Sequence, residues 1–307
     1  MDSELHRFKT AINLTEFAAS QGYELDRKES SRHSATMRHP NGDKVIIARQ
    51  EGGGDWIYFS VRNDRDNGSI IDFAQHREGG SLGQVRKTLR AWLGDTRPRP
   101  PLPHYVADLL PISRDRAGVL AAWERASPCA GLPYLAGRGI TADLLALPRF
   151  AGRVRVDARQ NALFPHYDHG GLCGYEIKNA GFTGFAPQGT KGLWYSVAHS
   201  TDGELVLVES AIDAYSYHAL QGGQWSRYMS TGGTLNPEQP TLLRAAMERL
   251  AAGAVVMLAF DHDEGGEALA EQVRALAPAG REVRRVLPPV GEGKDWNEAL
   301  QRRLGLT

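Results

Sequence analysis

Cysteine is scarce in this sequence, with only Cys129 and Cys173 among 307 residues. Two cysteines exclude a disulfide-stapled scaffold and any zinc site with four thiolate ligands. No run approaches the roughly 18 apolar residues that a membrane-spanning helix needs. The first ten residues are charged and lack the apolar core of a signal peptide. These absences predict a soluble, cytoplasmic protein that does not bind a membrane.

An excess of charge is also missing, because 36 Lys and Arg residues balance 36 Asp and Glu residues. A neutral protein does not coat nucleic acid through bulk charge, although it can still carry a local basic groove. Hydrophobic residues make up 41% of the chain and charged residues 23%, as in ordinary globular proteins. This composition excludes a disordered chain and a fibrous repeat.

Prolines are concentrated at one place, where they form four of the nine residues from 95 to 103. Such a segment cannot form a helix or a strand ladder and favours an extended linker. The sequence therefore predicts a first module over 1–95 and a linker over 96–113, followed by subdomains over 114–200 and 201–307. Apolar spacing in the first module predicts helices over 13–21, 69–77 and 83–93, and strands within 34–62 that break at Asn41-Gly42 and at 52–54.

The last third of the chain alternates between strand and helix patterns. Continuous apolar runs over 205–208 and 254–260 are typical of strands covered on both faces. We predict helices after them at 211–221 and 266–276, and then a strand at 282–287 and a helix at 296–303. Alternating strands and helices predict a mostly parallel sheet. Upstream, we expect helices over 114–150 and short antiparallel strands over 161–196.

Acidic residues follow each of the three predicted strands, namely Glu209 and Asp213, then Asp261 and Asp263, then Asp295. The carboxyl ends of parallel strands meet at one edge of a sheet, where ligands bind. Carboxylates gathered there repel one another and raise each other's pKa, and a hard divalent cation relieves that repulsion. The pattern therefore favours Mg²⁺ or Mn²⁺ and phosphoryl transfer. The alternative is that these acids only cap the following helices, and Asp213 could equally support the ligands or lie on a helix face.

These acidic motifs, at 208–213, 260–266 and 293–298, resemble the Toprim domain of bacterial primases, type IA and type II topoisomerases and some nucleases. Two upstream segments, at 134–140 and 163–178, and a segment at 230–239 between the first two acidic motifs resemble the bacterial replicative primase core in the same order. The resemblance covers about 130–303 and is closest to primase-like proteins of plasmids and other mobile elements. It implies an α/β fold, α+β overall, in which a Toprim domain follows a primase-like α+β subdomain.

The resemblance also implies roles for individual residues. Glu209, Asp261 and Asp263 would be the catalytic, metal-binding acids, with Asp295 as a further ligand and Asp213 behind them. The cations would face template phosphates or the nucleoside triphosphate, and each could instead be a solvated surface charge: Arg138, Lys178, Lys191 and Lys294. The chain departs from the pattern at Ser210, which replaces a Gly, and at Asn297, which stands where primases often carry another Asp.

The first module resembles the zinc-binding ribbon of primases but has no cysteine, so we predict no zinc. We expect the ribbon to be held together by the packing of Trp56, Tyr58, Phe59 and Phe73. It could contact single-stranded DNA through stacking and through Arg38, Arg49, Arg62 and Arg65. The alternative is that its aromatic residues are only core.

The resemblance implies a primase that copies a single-stranded DNA template from nucleoside triphosphates, in plasmid or mobile-element replication or transfer. A replicative helicase or a conjugation protein is the implied partner. Two alternatives remain open. One is a metal-dependent nuclease with the same acids, and the other is a catalytically degenerate adaptor that binds DNA or a partner.

Overall fold

The computed structural model describes residues 3–50, 54–61, 66–94, 102–103, 106, 109–111, 113–289 and 291–306. The chain divides into two compact units, Met1–Ser113 and Arg114–Thr307. Most of the proline-rich segment and the predicted DNA contacts Arg62 and Arg65 lie outside the described residues. Val106 and Leu109, from the predicted linker, are buried in the core of the first unit.

The first unit contains a five-stranded antiparallel sheet whose strands follow chain order. The strands are β1 (Glu24–Leu25), β2 (Ser34–Arg38), β3 (Lys44–Arg49), β4 (Trp56–Ser60) and β5 (Asn67–Ser69). The described helices are α1 (Ser3–Ala11), α2 (Leu14–Ser20), α3 (Ile70–Glu78) and α4 (Leu82–Gly94). The predicted helices and the turn at Asn41-Gly42 are confirmed, with Gly42 at a φ of 92° that favours glycine.

Capping side chains explain where helices α2 and α3 begin. The Asn13 side chain accepts hydrogen bonds from the backbone of Thr15 and Glu16 at the start of α2. Ser69 forms a capping box with Asp72 at the start of α3. Each cap satisfies backbone N–H groups that the first helical turn leaves without a partner.

The core of the first unit includes Trp56, Tyr58 and Phe73, as predicted, but Phe59 is 50% exposed. The prediction for Phe59 is wrong because side chains alternate across a strand. Trp56, Tyr58 and Ser60 point to the buried face of β4, which places Phe59 on the opposite face.

The second unit begins with α5 (Arg116–Arg125), α6 (Pro133–Ala136), α7 (Ala142–Ala146) and a 3₁₀ turn at Pro148–Phe150. Its first sheet is antiparallel and has the order β10-β9-β8-β7-β6. The strands are β6 (Ser127–Pro128), β7 (Arg155–Val156), β8 (Ala162–Asp168), β9 (Gly171–Asn179) and β10 (Phe182–Phe185). The antiparallel strands predicted over 161–196 are confirmed.

The second sheet of this unit has the order β11-β13-β12-β14-β15, and all neighbours except β11 and β13 are parallel. Its strands are β11 (Trp194–Tyr195), β12 (Glu204–Val208), β13 (Ser226–Ser230), β14 (Val255–Leu258) and β15 (Val283–Arg285). Its helices are α8 (Ala211–Gln221), α9 (Gln239–Glu248), α10 (Glu264–Arg274) and α11 (Trp296–Arg303). The mostly parallel sheet is confirmed, whereas β13 and α9 were not predicted.

Strand β12 lies at the centre of this sheet and is covered on both faces. Val206 and Val208 belong to a core cluster with Trp296 of α11, together with residues of α8. Leu205 and Leu207 belong to a separate cluster with residues of α9 and α10. This double cover explains the unbroken apolar run in the sequence. No helix in the described ranges is long and apolar enough to cross a membrane.

Candidate active site

Glu209 and Asp261 lie where two adjacent strands of the parallel sheet end. Leu207 of β12 is in register with Leu258 of β14, and the two acids follow these residues by two and three positions. The Glu209 carbonyl accepts a hydrogen bond from the Gly232 N–H at 2.8 Å, which ties it to the end of β13. The sheet therefore brings both acids to its carboxyl edge, as the sequence predicted.

Both carboxyl groups hold their protons more tightly than free acids do. Burial raises the pKa of Glu209 to about 7, and the charges of Asp213 and Asp263 contribute to the rise. Burial raises the pKa of Asp261 to about 8, with further contributions from Asp213, Glu209 and Asp295. Asp261 Oδ1 is buried and has no hydrogen-bond partner in the part of the chain that the structure describes. The pair therefore needs a proton or a cation to offset its charge.

Asp213 belongs to this acidic group and does not lie on a solvated helix face, since only 7% of the residue is exposed. Burial raises its pKa to about 6, and the charge of Asp295 adds to this effect. Ser210 opposes the rise by donating a hydrogen bond from Oγ to Asp213 Oδ2 at 2.6 Å. Ser210 also caps α8, so the departure from glycine at this position supplies a partner for the buried acid.

Asp263 and Asp295 cap helices, as the alternative interpretation of the sequence proposed. Asp263 Oδ1 accepts a hydrogen bond from Gly266 N at 2.9 Å, and Asp295 Oδ1 accepts one from Glu298 N at 2.7 Å. The other oxygen of Asp263 lies 3.4 Å from Lys294 Nζ. Their charges nevertheless act on Asp261, so capping and membership of the acidic group occur together.

A glycine permits the close approach of α10 to the second acidic motif. A Cβ atom on Gly266 would lie 2.1 Å from the carbonyl oxygen of Asp261. No side chain fits at that distance, so only glycine allows the helix to begin directly beneath Asp261. The Gly265-Gly266 pair in the sequence therefore has a different role at each position, since Gly265 would contact only the Asp263 side chain, at 3.4 Å.

The donor set fits a hard divalent cation of the magnesium type. Within the described residues, no three side chains of His, Cys, Asp or Glu lie close enough together to hold a metal ion between them. Mg²⁺ is usually held by one or two carboxylates together with water and substrate phosphates, so it does not need a closed protein cage. The unpaired Asp261 Oδ1 and the neighbouring Glu209 supply oxygen ligands of this kind.

A cleft of about 140 Å³ opens beside the acidic group within the second unit. Asp213 and Asp295 line one part of it, and Arg138 and Lys178 line another. Cations facing carboxylates across an open cleft form a site for phosphate groups, whose oxygens accept charge-assisted hydrogen bonds. The structure thus brings two of the four predicted cations together with the acids.

Asn297 holds Arg138 in this cleft, a role that the sequence did not reveal. Its Oδ1 accepts a hydrogen bond from Arg138 Nη1 at 2.9 Å, and its Nδ2 donates to the Arg138 carbonyl at 2.8 Å. Nδ2 also donates to Ser216 Oγ at 3.0 Å. Tyr134 packs its ring 5.1 Å from the guanidinium carbon of Arg138. The amide at position 297 therefore positions a cation, whereas the sequence suggested only a missing acid.

Two buried residues, which the sequence analysis did not identify, hold Lys178 in position. Its Nζ lies 2.9 Å from Glu176 Oε2, and Glu176 Oε1 lies 3.0 Å from His166 Nε2. His166 Nδ1 lies 2.8 Å from the Gly192 carbonyl oxygen. Burial would raise the pKa of Glu176, but His166 and Lys178 lower it to about 2. The spacing of Glu176 and Lys178, two apart on β9, was the available signal that they share a face.

The other two predicted cations do not line this cleft. Lys191 Nζ donates to the Thr234 carbonyl at 2.7 Å, beside the loop that follows β13. Lys294 is paired with Asp263, and its pKa is raised although burial alone would lower it. In the first unit, Arg38 forms ion pairs with Asp26 and Glu29, both at 2.8 Å.

Residues 206–300 match a family model described as Toprim-like, and residues 133–202 match a family of proteins of unknown function, DUF3991. A search of curated proteins found no significant match. The first match covers all three acidic motifs, from Glu209 to Asp295.

Three solved structures are similar to this chain. The primase fragment of the bacteriophage T7 primase-helicase protein is 16% identical, with 93% of this chain and 95% of that chain covered and a TM-score of 0.43. A chain of the T7 lagging-strand DNA polymerase complex with primase domains is 20% identical, with 59% and 86% covered and a TM-score of 0.39. The RNA polymerase domain of Mycobacterium tuberculosis primase is 20% identical, with 51% and 57% covered and a TM-score of 0.30.

The family match stands on sequence, and the parallel sheet with acids at its carboxyl edge agrees with it. The segment from 206 to 300 of this chain is similar to Toprim-like domains.

Proposed function

We propose that this protein is a metal-dependent, primase-like nucleotidyltransferase that synthesises primers on single-stranded DNA. The observation that carries the proposal is the position of Glu209 and Asp261 at the ends of adjacent strands, where their pKa values are raised to about 7 and about 8. Their acidic neighbours Asp213 and Asp295 line a cleft together with the cations Arg138 and Lys178. Carboxyl groups whose pKa values lie near neutral pH favour the binding of a cation, which offsets their charge. The cations of the neighbouring cleft favour the binding of phosphate groups.

Each group has a distinct task in this proposal. Glu209 and Asp261 hold the cation, with Asp263 and Asp295 adding negative charge from their capping positions. Arg138 and Lys178 bind the phosphates of the incoming nucleoside triphosphate and keep it in place for attack. A bound Mg²⁺ or Mn²⁺ supplies charge stabilisation for the attacking hydroxyl and the departing pyrophosphate.

The ligands that follow from this proposal are a single-stranded DNA template and nucleoside triphosphates. The first unit offers Arg49 and the exposed Phe59 as candidate template contacts, with Arg49 lying 5.5 Å from the Trp56 ring. A replicative helicase or a conjugation protein is the proposed partner, and replication or transfer of a plasmid or another mobile element is the proposed setting.

The test is primer synthesis on mixed-sequence single-stranded DNA with all four nucleoside triphosphates and Mg²⁺ or Mn²⁺. Wild type should give short products that require the metal, and Glu209→Gln and Asp261→Asn should each give none. Glu271→Gln is the matched control, because Glu271 is an exposed acid on α10 away from the acidic group. It should retain wild-type activity.

Other results would identify the alternatives. If wild type shortens a labelled template and makes no primers, and the two acidic-site variants do not, the protein is a nuclease. If neither activity occurs and Mn²⁺ does not bind, the protein is an adaptor with a primase-like fold. Primer synthesis that persists in Asp261→Asn would overturn the assignment of the acidic site.

A further inference from the structure

A second groove lies in the same unit, away from the acidic cleft. It has a volume of about 280 Å³, just under the roughly 300–1,000 Å³ usual for small-molecule sites. Leu193, Met229 and Leu242 provide apolar surface, and Ser210, Asp213 and the cations of the acidic cleft take no part in its lining. None of the three acidic motifs or the proposed catalytic steps uses this groove.

Two tyrosines form an aromatic surface in the groove. The Tyr167 and Tyr195 rings have their centroids 4.6 Å apart with an interplanar angle of 35°. Arg153 lies 5.4 Å from the first ring and 4.9 Å from the second, and it donates a hydrogen bond to the Tyr167 hydroxyl at 3.1 Å. The Tyr167 backbone is joined to Leu193 by two hydrogen bonds of 2.9 Å. The aromatic surface is therefore fixed before any ligand arrives, which lowers the entropic cost of binding.

Arg227 brings a positive charge to this aromatic surface. Its Nε is buried and has no hydrogen-bond partner among the described residues. Burial lowers the pKa of Arg227, and the nearby Arg149 lowers it further while Asp202 opposes the change. Asp202 is itself held by Arg149 at 3.0 Å. Burying half of the Arg227 side chain costs free energy, and an anionic ligand at the guanidinium would offset that cost.

The remaining charged groups of the groove agree with an anion. Arg249 lies exposed at the groove and adds a second guanidinium. Asp168 also lines the groove, but its carboxylate is paired with Arg116 and accepts a hydrogen bond from Gly170 N at 2.7 Å. The groove thus combines two tyrosine rings, apolar side chains and two guanidinium groups.

We propose that this groove binds a nucleotide, with its base against Tyr167 and Tyr195 and its phosphate at Arg227 and Arg249. Aromatic side chains stack on any base, and guanidinium groups bind phosphate oxygens through paired hydrogen bonds. The nucleotide is either a free mononucleotide or one unit of a single strand, and both present the same chemistry. This proposal goes beyond the proposed primase activity and does not depend on it.

The experiment measures binding of uridine 5′-monophosphate and of a short oligothymidylate to the full chain by calorimetry, without added metal. Inorganic phosphate and uridine serve as part-ligand probes, and each should bind more weakly than the nucleotide. Arg227→Gln and Arg249→Gln should each weaken nucleotide binding by about tenfold or more, as loss of a charge-assisted hydrogen bond implies. Arg244→Gln, an exposed position of α9 outside the groove, is the matched control and should bind as wild type does.

The variants separate this groove from the acidic cleft. Asp261→Asn should bind the nucleotide as wild type does, even where it abolishes primer synthesis. Arg227→Gln should have an unchanged or higher melting temperature, because it removes a half-buried charge. Nucleotide binding that survives both arginine substitutions, or that is lost in Asp261→Asn alone, would overturn the proposal. Tighter binding of the mononucleotide would identify a free nucleotide as the ligand, and tighter binding of the oligonucleotide would identify a single strand. If neither binds, the proposal is overturned.

Discussion

Asn297 grips Arg138 through both ends of its amide, accepting from the guanidinium at 2.9 Å and donating to the backbone carbonyl at 2.8 Å. Asn297 is 3% exposed, so water cannot replace these hydrogen bonds. The cleft-lining arginine is therefore held in position by a buried amide.

Asn297→Ala should lower both stability and the affinity for nucleoside triphosphate. Removing the amide leaves the Arg138 carbonyl without its donor, and an unsatisfied buried group costs about 1–3 kcal/mol. Urea unfolding should show a lower free energy of unfolding, and the KM for nucleotide should rise more than kcat falls. Gln301→Ala, which removes an exposed hydrogen bond from the same helix, should change neither quantity measurably. Equal effects of the two substitutions would contradict the positioning role.

Gly266→Ala should abolish metal binding and activity through the backbone of Asp261. The added methyl group would lie 2.1 Å from the Asp261 carbonyl oxygen, so the second acidic motif must move. Gly265→Ala is the matched control, because its methyl group has room and alanine favours a helix by about 1 kcal/mol over glycine. Mn²⁺ titration should show binding in the control and none in Gly266→Ala. Normal binding in both would show that the motif tolerates the shift.

Glu176→Gln should destabilise the second unit and release Lys178. Breaking a buried ion pair by removing one partner costs about 3–5 kcal/mol. Because the pKa of Glu176 falls to about 2 on folding, its contribution is present above its unfolded value of 4.5 and is lost as the pH falls towards 2. Urea unfolding of Glu176→Gln, Lys178→Met and the double variant should reveal a coupling between the two residues. Additive effects would contradict the ion pair.

Without metal, the stability of the protein should fall as the pH rises from about 5 to about 8. Glu209, Asp213 and Asp261 have raised pKa values, so the folded state binds more protons than the unfolded state in this range. A loss of about 1 kcal/mol lowers the melting temperature of a domain of this size by about 2–4 °C. Asp261→Asn should flatten the dependence, whereas Glu271→Gln should leave it unchanged. A melting temperature that rises with pH in wild type would contradict the raised values.

Mn²⁺ should raise the melting temperature of wild type, and more strongly at about pH 8 than at about pH 6. The cation competes with protons for Glu209 and Asp261, so its binding strengthens as both acids ionise. A ligand that binds only the folded state stabilises it according to its concentration over its Kd. Thermal melts across a Mn²⁺ titration should show this shift in wild type and not in Glu209→Gln. A shift of equal size in that variant would place the cation elsewhere.

The sequence was sufficient to place the acids at the strand ends, but it did not reveal the residues that contact Arg138 and Lys178. Glu209 and Asp261 follow apolar runs, and that pattern gave their place at the strand ends directly. Strand β13 was missed because it is short and half polar, and with it Arg227 was missed. Asn297 and Glu176 act through contacts between segments far apart in the chain, which no local pattern records. Phe59 was misplaced because one residue along a strand exchanges the buried face for the exposed one.

The double cover of β12 has a kinetic consequence for the carboxylate that follows it. A strand with apolar contacts on both faces and hydrogen-bonded neighbours on both sides opens only when the whole domain unfolds. Its amide protons should exchange with solvent at the slowest rates in the unit. Lys294 and Asp263, by contrast, are exposed and linked at 3.4 Å. We therefore expect Glu209 to follow the most slowly exchanging backbone of the second unit, while its exposed charged neighbours remain free to change conformation when a substrate binds.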